Sequence, residues 1–356
     1  MSDRDDGDGL DASDGPRRSF RSLLHRQPDD ERGHLPDEGA LGPLSRATAW
    51  LNSPPLTPAG LRGRVVLVDF WTFTCVNWLR TAPYLRAWHA KYAAAGLTVV
   101  GVHTPEFGFE HDLATVTERV RRLGIEYPVA VDSDYGVWGD FDNHYWPALY
   151  VADADGRLRY HHFGEGEYMM TEMVLQQLLL DAGADGIDGD LVSPEAHGLE
   201  VAADWRSLRS PETYLGYGQS SGFASEDAGL YDLSSVYPGG ARLALNEWDL
   251  AGRWTQTRDA AVLDEPGGRI SFAFHARDAN LVMGPAAGRG AVPFRVLLDG
   301  KAPGEAHGTD VDALGNGVLD RQDTFQLVRQ PGPVATRLLE VEFPEGGAEA
   351  FCFTFG

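Results

Sequence analysis

The run Val65-Val66-Leu67-Val68-Asp69-Phe70-Trp71 is apolar at every position but one. Successive strand side chains point to opposite faces, so a strand of this composition has to be covered on both. That demands a central strand in a sheet flanked by helices. Shortly after it comes Cys75, opening a stretch with helical character to about Ala95. Thr72, Thr74 and Asn77 suit a solvent-facing turn between the two. A buried strand thus hands a thiol to the start of a helix, and Trp78 follows in the first turn of that helix.

Strands and helices go on alternating over residues 41–183. Leu97–Val102 reads as a second buried strand, and Phe107–Leu123 as a helix with Leu113, Val116 and Val120 on one face. Tyr127–Val131 is a short strand. Ala148–Val151 and Leu158–Phe163 flank the turn signal Asp153-Ala154-Asp155-Gly156, and Tyr168–Ala182 closes the unit as a helix. The expectation is an α/β fold, a mixed sheet flanked by helices. Residues 1–40, rich in charge, Gly and Pro, read as a disordered acidic tail. Residues 184–225 read as a linker. In 226–356 helical periodicity gives way to period-two runs such as Ile270–Phe274 and Leu339–Phe343, the pattern of an all-β, jelly-roll-like sandwich. Its last strand, Phe351–Phe355, would put three phenylalanines on one face.

Bulk properties exclude several functions. A formal net charge of −23 repels phosphate backbones and anionic surfaces, so neither nucleic acid nor membrane is an expected partner. Two cysteines cannot make a disulfide scaffold. Without an apolar segment behind Met1–Asp6 the expected location is cytoplasmic. No cofactor or metal is expected. His161 and His162 point to opposite faces of a strand, and His103, Glu106 and Glu110 read as surface groups. In Asp310–Gly317 Leu314 stands where a calcium loop needs oxygen, so that segment reads as a turn. Trp248 and Trp254 are candidates for stacking on a sugar but fit a buried core as well.

The chemistry gathers around Cys75. Unpaired N–H groups and the helix dipole at a helix start favour thiolate over thiol. Asp69, on a strand buried on both faces, is either a proton acceptor near the thiol or a hydrogen-bonded structural acid. Trp78 cannot release a mixed disulfide as a second thiol would. Pro147, after Trp146 and before an apolar strand, marks a tight turn. Cys352 lies on a distant strand and reads as a small structural residue.

Val68–Pro83 resembles the thioredoxin fold, and Leu44–Leu180 resembles the soluble thioredoxin-like domain of the DipZ family, related to TlpA-type thiol–disulfide oxidoreductases. The pieces that carry this are Val68-Asp69-Phe70-Trp71-Thr72, Arg80-Thr81-Ala82-Pro83, His103-Thr104-Pro105-Glu106-Phe107, Tyr145-Trp146-Pro147-Ala148 and Phe163-Gly164-Glu165-Gly166. Phe294–Gly300 and Phe353–Gly356 resemble that family's appended β-sandwich, which is likened to carbohydrate-binding modules. The resemblance implies a nucleophilic cysteine at Cys75, a buried acid at Asp69, a cis-proline at Pro147 and a resolving cysteine where this chain has Trp78. Trp71, Thr74, Asn77 and Trp146 are the neighbours within these motifs. The membrane-embedded electron-transfer domain of full-length members is not in this sequence.

The reading that follows is a thioredoxin-like thiol oxidoreductase using Cys75 alone on protein disulfides or peroxides. An external thiol or protein reductant is its partner, and a carbohydrate is a candidate ligand of the sandwich. Its dithiol activity would be reduced or altered. The alternative is a redox-inactive binding module of the same fold, recognising a protein or a glycan.

Overall fold

The computed structural model describes residues 35–225, 230–240 and 242–356. The acidic tail expected over 1–40 lies outside the described residues up to 34. Its last residues, Gly39–Ala40 (β1), pair with the edge of the first sheet.

That sheet is built from β1, β2 (Ala49–Leu51), β3 (Val65–Trp71), β4 (Leu97–His103), β5 (Val129–Val131), β6 (Ala148–Ala152) and β7 (Arg157–Phe163), in the order β1-β7-β6-β3-β4-β5-β2. β3 runs parallel to β4 and antiparallel to β6, so the sheet is mixed. The helices are α1 (Val76–Tyr92), α2 (Leu113–Arg122), α3 (Gly136–Asp140) and α4 (Tyr168–Asp181). Every residue of β3 is buried, which is what its apolar run demands. Val66, Val68 and Phe70 face a core completed by Val100, Val102, Ala148, Tyr150 and Val137. Asp69 and Trp71 point the other way, where Trp78 of α1 meets them both. Gly101, opposite Asp69 on β4, is required by this packing: a Cβ there would lie 2.8 Å from Trp71 Nε1.

The named strands of the second half all pair antiparallel. β8 (Thr213–Tyr214) comes from the stretch read as a linker. It is followed by β9 (Ser234–Pro238), β10 (Trp248–Gln256), β11 (Ala261–Leu263), β12 (Gly268–Phe274), β13 (Asp278–Pro285), β14 (Val292–Leu298), β15 (Asn316–Leu319), β16 (Asp323–Arg329), β17 (Arg337–Phe343) and β18 (Ala348–Phe355). They fold over a single apolar core that includes Trp248, Trp254, Phe272, Phe294 and Phe353. Both tryptophans are fully buried, with their indole N–H groups donated to the carbonyls of Ser221 and Ala251, so neither offers a sugar-stacking face. In the loop around Leu314, the Asp312 carboxylate accepts from the backbone N–H groups of Leu314 and Asn316, fixing a turn.

One strand departs from its alternation. The β13–β18 register passes from Val282↔Cys352 to Met283↔Ala350, leaving Phe351 as the extra residue of a bulge. Phe353 and Phe355 therefore join the sandwich core, while Phe351 turns to Phe107 and Phe109 of the first half. The three phenylalanines do not share one face, because the bulge re-aims the first of them.

Arg80 of α1 clamps the chain's end. Its guanidinium pairs with Glu165 at 2.8 Å and donates to the Phe355 carbonyl at 3.0 Å, and it is almost wholly buried. Arg80→Ala leaves the Glu165 carboxyl buried without its cation, and unfolding in urea should show a loss of about 3–5 kcal/mol. A loss below about 1 kcal/mol, the range of exposed pairs, would show the clamp to be unimportant.

Candidate active site around Cys75

Three loops leave the same end of the first sheet. β3 ends at Trp71 beside His103 of β4, and Phe70 lies opposite Ala148 at the start of β6. The segments 72–75, 104–110 and 145–147 are therefore neighbours, at the carboxyl end of the parallel strands where open α/β sheets place their sites. Cys75 is the N-cap of α1 and keeps partial exposure. The Trp146–Pro147 peptide is cis. The Pro147 carbonyl accepts from Gly164 N–H, and the Trp146 indole donates to the Thr104 carbonyl, which ties two of the loops together.

Between the first turn of α1 and β3 lies an aromatic stack. Trp78 is fully buried, lies on Trp71 at 4.2 Å between ring centroids, and donates its indole N–H to Asp69 Oδ2 at 2.8 Å. Asp69 Oδ1 has no hydrogen-bond partner among the described residues. Burial raises the Asp69 carboxyl to about 7, and the indole bond only partly opposes it. Trp78 thus does more than fill space, since it occupies an oxygen of the buried acid.

The thiol departs from expectation. The Cys75 side chain makes no capping hydrogen bond, and the nearby backbone N–H groups of Trp78 and Asn77 favour the thiolate only in part. Desolvation outweighs them, the charges of Glu106 and Glu212 add to it, and the Cys75 thiol is pushed well above its ordinary range. Helix-end amides contribute a fixed partial charge. Here carboxyls supplied by another loop, and by the segment leading into β8, oppose that charge.

Glu110 and His103 are not surface groups. Glu110 is completely buried, accepts from Thr74 Oγ1 at 2.6 Å, and takes the backbone N–H groups of Glu106 and Phe107 at 2.6 and 2.9 Å. It locks the thiol's neighbour to the 104–110 loop. His103 is equally buried, its ring against Trp71 and stacked on Phe73, and burial drops its pKa to about 3, so it stays neutral. Burial, with Glu212 and Glu110 beside it, raises Glu106 to about 8.

The second half closes over this site. Thr324 Oγ1 of β16 donates to the Thr74 carbonyl at 2.7 Å, and the Tyr214 hydroxyl of β8 donates to the Glu106 carboxylate. Phe351 packs on Phe107 and Phe109. No local pattern could have revealed Thr324 or Tyr214, which meet partners 250 and 108 residues away.

The N-cap thiol, the buried acid on the central strand and the cis-proline turn form one constellation, and known proteins share the chain that builds it. Residues 55–161 match the AhpC/TSA family, and residues 210–356 match a thioredoxin-like C-terminal domain. The thiol-disulfide oxidoreductase YkuV of Bacillus subtilis is 30% identical over 138 residues, covering 39% of this chain and 93% of YkuV. The chain belongs to the thioredoxin-like thiol–disulfide oxidoreductase family. Within that family, Protein DipZ of Mycobacterium tuberculosis is 35% identical over 331 residues, 92% of this chain. This chain spans 44% of the length of DipZ. A thioredoxin-like protein solved in solution in its oxidized form aligns at 32% identity over 40% of this chain and 96% of its own, with a TM-score of 0.37. A thioredoxin-like member with Trp78 in the first turn of α1 has one sulfur at that turn and a buried indole three residues on.

Proposed function

We propose that this chain is a thiol-dependent oxidoreductase in which Cys75 alone attacks the substrate, and that the substrate is a disulfide. The observation that carries the reading is Cys75 at the N-cap of α1, partly exposed, on the loop that faces the cis Trp146–Pro147 turn. The thiolate attacks one sulfur of a disulfide, the S–S bond breaks, and the departing thiolate takes up a proton. The product is a mixed disulfide on Cys75. An external thiol or protein reductant restores the free thiol.

One feature favours a disulfide over a peroxide. Arg80 and Arg119, which border this region, are committed to Glu165 and to Glu118 and Asp323. For the carbohydrate brought in by the sandwich, the place we assign is a groove of about 740 Å³ lined by Arg269, Arg295, Asn316 and Glu342. Cytoplasmic placement is part of the same proposal, to be checked by fractionating expressing cells. Among the described residues no helix is long and apolar enough to cross a membrane.

Cys75→Ser tests the central claim. With a disulfide substrate at pH 9, the wild type should form a mixed disulfide at Cys75, seen by mass spectrometry. The serine variant should form none while melting at the same temperature. No adduct on wild-type Cys75, with equal capture of the disulfide partner by both proteins, would leave the binding-module reading in its place.

A further inference from the structure

The sandwich carries the chain's other sulfur, and the strand register shows where it faces. Thr324 of β16 lies opposite Val282 of β13, Val282 opposite Cys352 of β18, and Cys352 opposite Tyr214 of β8. Directly opposed residues on antiparallel strands share a face. Thr324, Val282, Cys352 and Tyr214 therefore form one transverse row with side chains on one side. Both ends of the row are fastened to the loops of the active site. Thr324 holds the carbonyl of Thr74, the residue before Cys75, and Tyr214 holds Glu106. Cys352 lies between these anchors, clustered with Val282, Phe107 and Phe351.

Two further observations bear on this sulfur. The bulge at Phe351 immediately precedes Cys352 and turns this part of β18 toward the first half, the re-aiming that bulges provide beside active sites. The Cys352 thiol donates to the neighbouring Phe353 carbonyl at 3.4 Å and interacts with the Glu212 carboxyl. Burial and the same two carboxyls, Glu106 and Glu212, raise both thiols.

We propose that Cys352 is the resolving thiol for Cys75, a cross-domain replacement for the sulfur that position 78 lacks. The inference rests on the reading of Cys75 as nucleophile. Cys75 attacks a substrate disulfide and releases the first thiol. Cys352 then loses its proton and attacks the Cys75 sulfur of the mixed disulfide. The Cys75–Cys352 bond forms, and the second substrate thiolate leaves and is protonated. The substrate disulfide gains two electrons and the chain's two thiols lose them. An external dithiol reverses the bond.

The test uses the full chain, reduced and then exposed at pH 9 to oxidised glutathione. Free thiols are alkylated before denaturation, and peptides are mapped without reduction. In the wild type, monomeric protein should yield the linked Cys75–Cys352 peptide, with the glutathione adduct on Cys75 only transient. In Cys352→Ser the adduct should persist at least about tenfold longer, because the intramolecular thiol acts at an effective concentration in the millimolar range. An adduct on wild-type Cys75 as long-lived as in the variant, with no linked peptide, overturns the proposal and leaves Cys75 a nucleophile. No adduct on Cys75 in either protein overturns the nucleophile reading and this inference with it. Cys352 is buried, so the wild type supplies a second measurement free of any variant. Oxidation should raise its melting temperature reversibly with dithiothreitol, as closing so long a loop requires. An unchanged melting temperature after oxidation counts against the bond.

Discussion

Trp78→Cys should give this chain a reducible disulfide within the first turn of α1 and dithiol turnover at the expense of stability. Residue 78 lies three positions from the N-cap sulfur, and Trp78 is wholly buried on Trp71. Removing the indole leaves a cavity, and large-to-small changes at such positions cost about 3–5 kcal/mol. The Asp69 carboxyl also loses its indole donor. Since domains of this size have about 5–15 kcal/mol in hand, the variant should fold but melt roughly 10 °C lower. In return a mixed disulfide on Cys75 is attacked from within the same turn. Reduction of a protein disulfide by a dithiol donor should rise by about tenfold or more, since the resolving step becomes intramolecular. Asp69, at about 7 in the wild type, rises further once the indole bond that lowers it is gone, so it takes up the proton of the new thiol on the alkaline side. The checks are a thiol count before and after mild oxidation, a turnover assay and a melting curve. A folded variant whose two thiols stay free in oxidising buffer would show that the α1 turn no longer holds the geometry of a cysteine pair.

Alkylation of Cys75 should climb with pH past 9 without levelling off, and Glu106→Gln should accelerate it only on the alkaline side. Burial and the Glu106 and Glu212 charges raise the thiol, and the N–H groups of Trp78 and Asn77 lower it by less. Glu106 itself titrates near 8. Below that it is neutral and cannot repel a thiolate, so the variant and the wild type should react alike at pH 7. Above it the wild type carries a carboxylate beside the sulfur and the variant does not. At pH 9 the variant should react several-fold faster, since one pK unit of relief corresponds to about tenfold in thiolate population. Glu110 and Glu212 remain in both proteins, and His103 is neutral throughout this range, so none of them explains a difference. A plateau below pH 8 in the wild type, or a slower variant at pH 9, would show that Glu106 does not oppose ionisation.

Much of the first half was legible because its signals are local. The apolar run of β3 specified a strand covered on both faces, and the polar turn after Trp71 marked where α1 begins. The Asp153–Gly156 turn separated β6 from β7, and Trp146–Pro147 lay where the cis peptide is found. The short α3 and the strands β1 and β2 were missed because two to five residues carry too little periodicity to read. Glu110 looked like a surface acid, since nothing nearby indicates that Thr74 and two backbone amides satisfy it. Phe351 was assigned to the wrong face because a single bulge inverts an alternation that the residues themselves display.

The sequence alone determined the scaffold, the place of the one thiol on it and the absence of a second sulfur at position 78, because hydrophobic period and turn chemistry are written within a few residues. Tertiary structure alone decided the state of that thiol. The acids that hold it protonated, the indole bond on Asp69 and the row of Thr324, Cys352 and Tyr214 over its loop come from distant segments. Charge and burial act through space, and only the folded chain sets which groups are close.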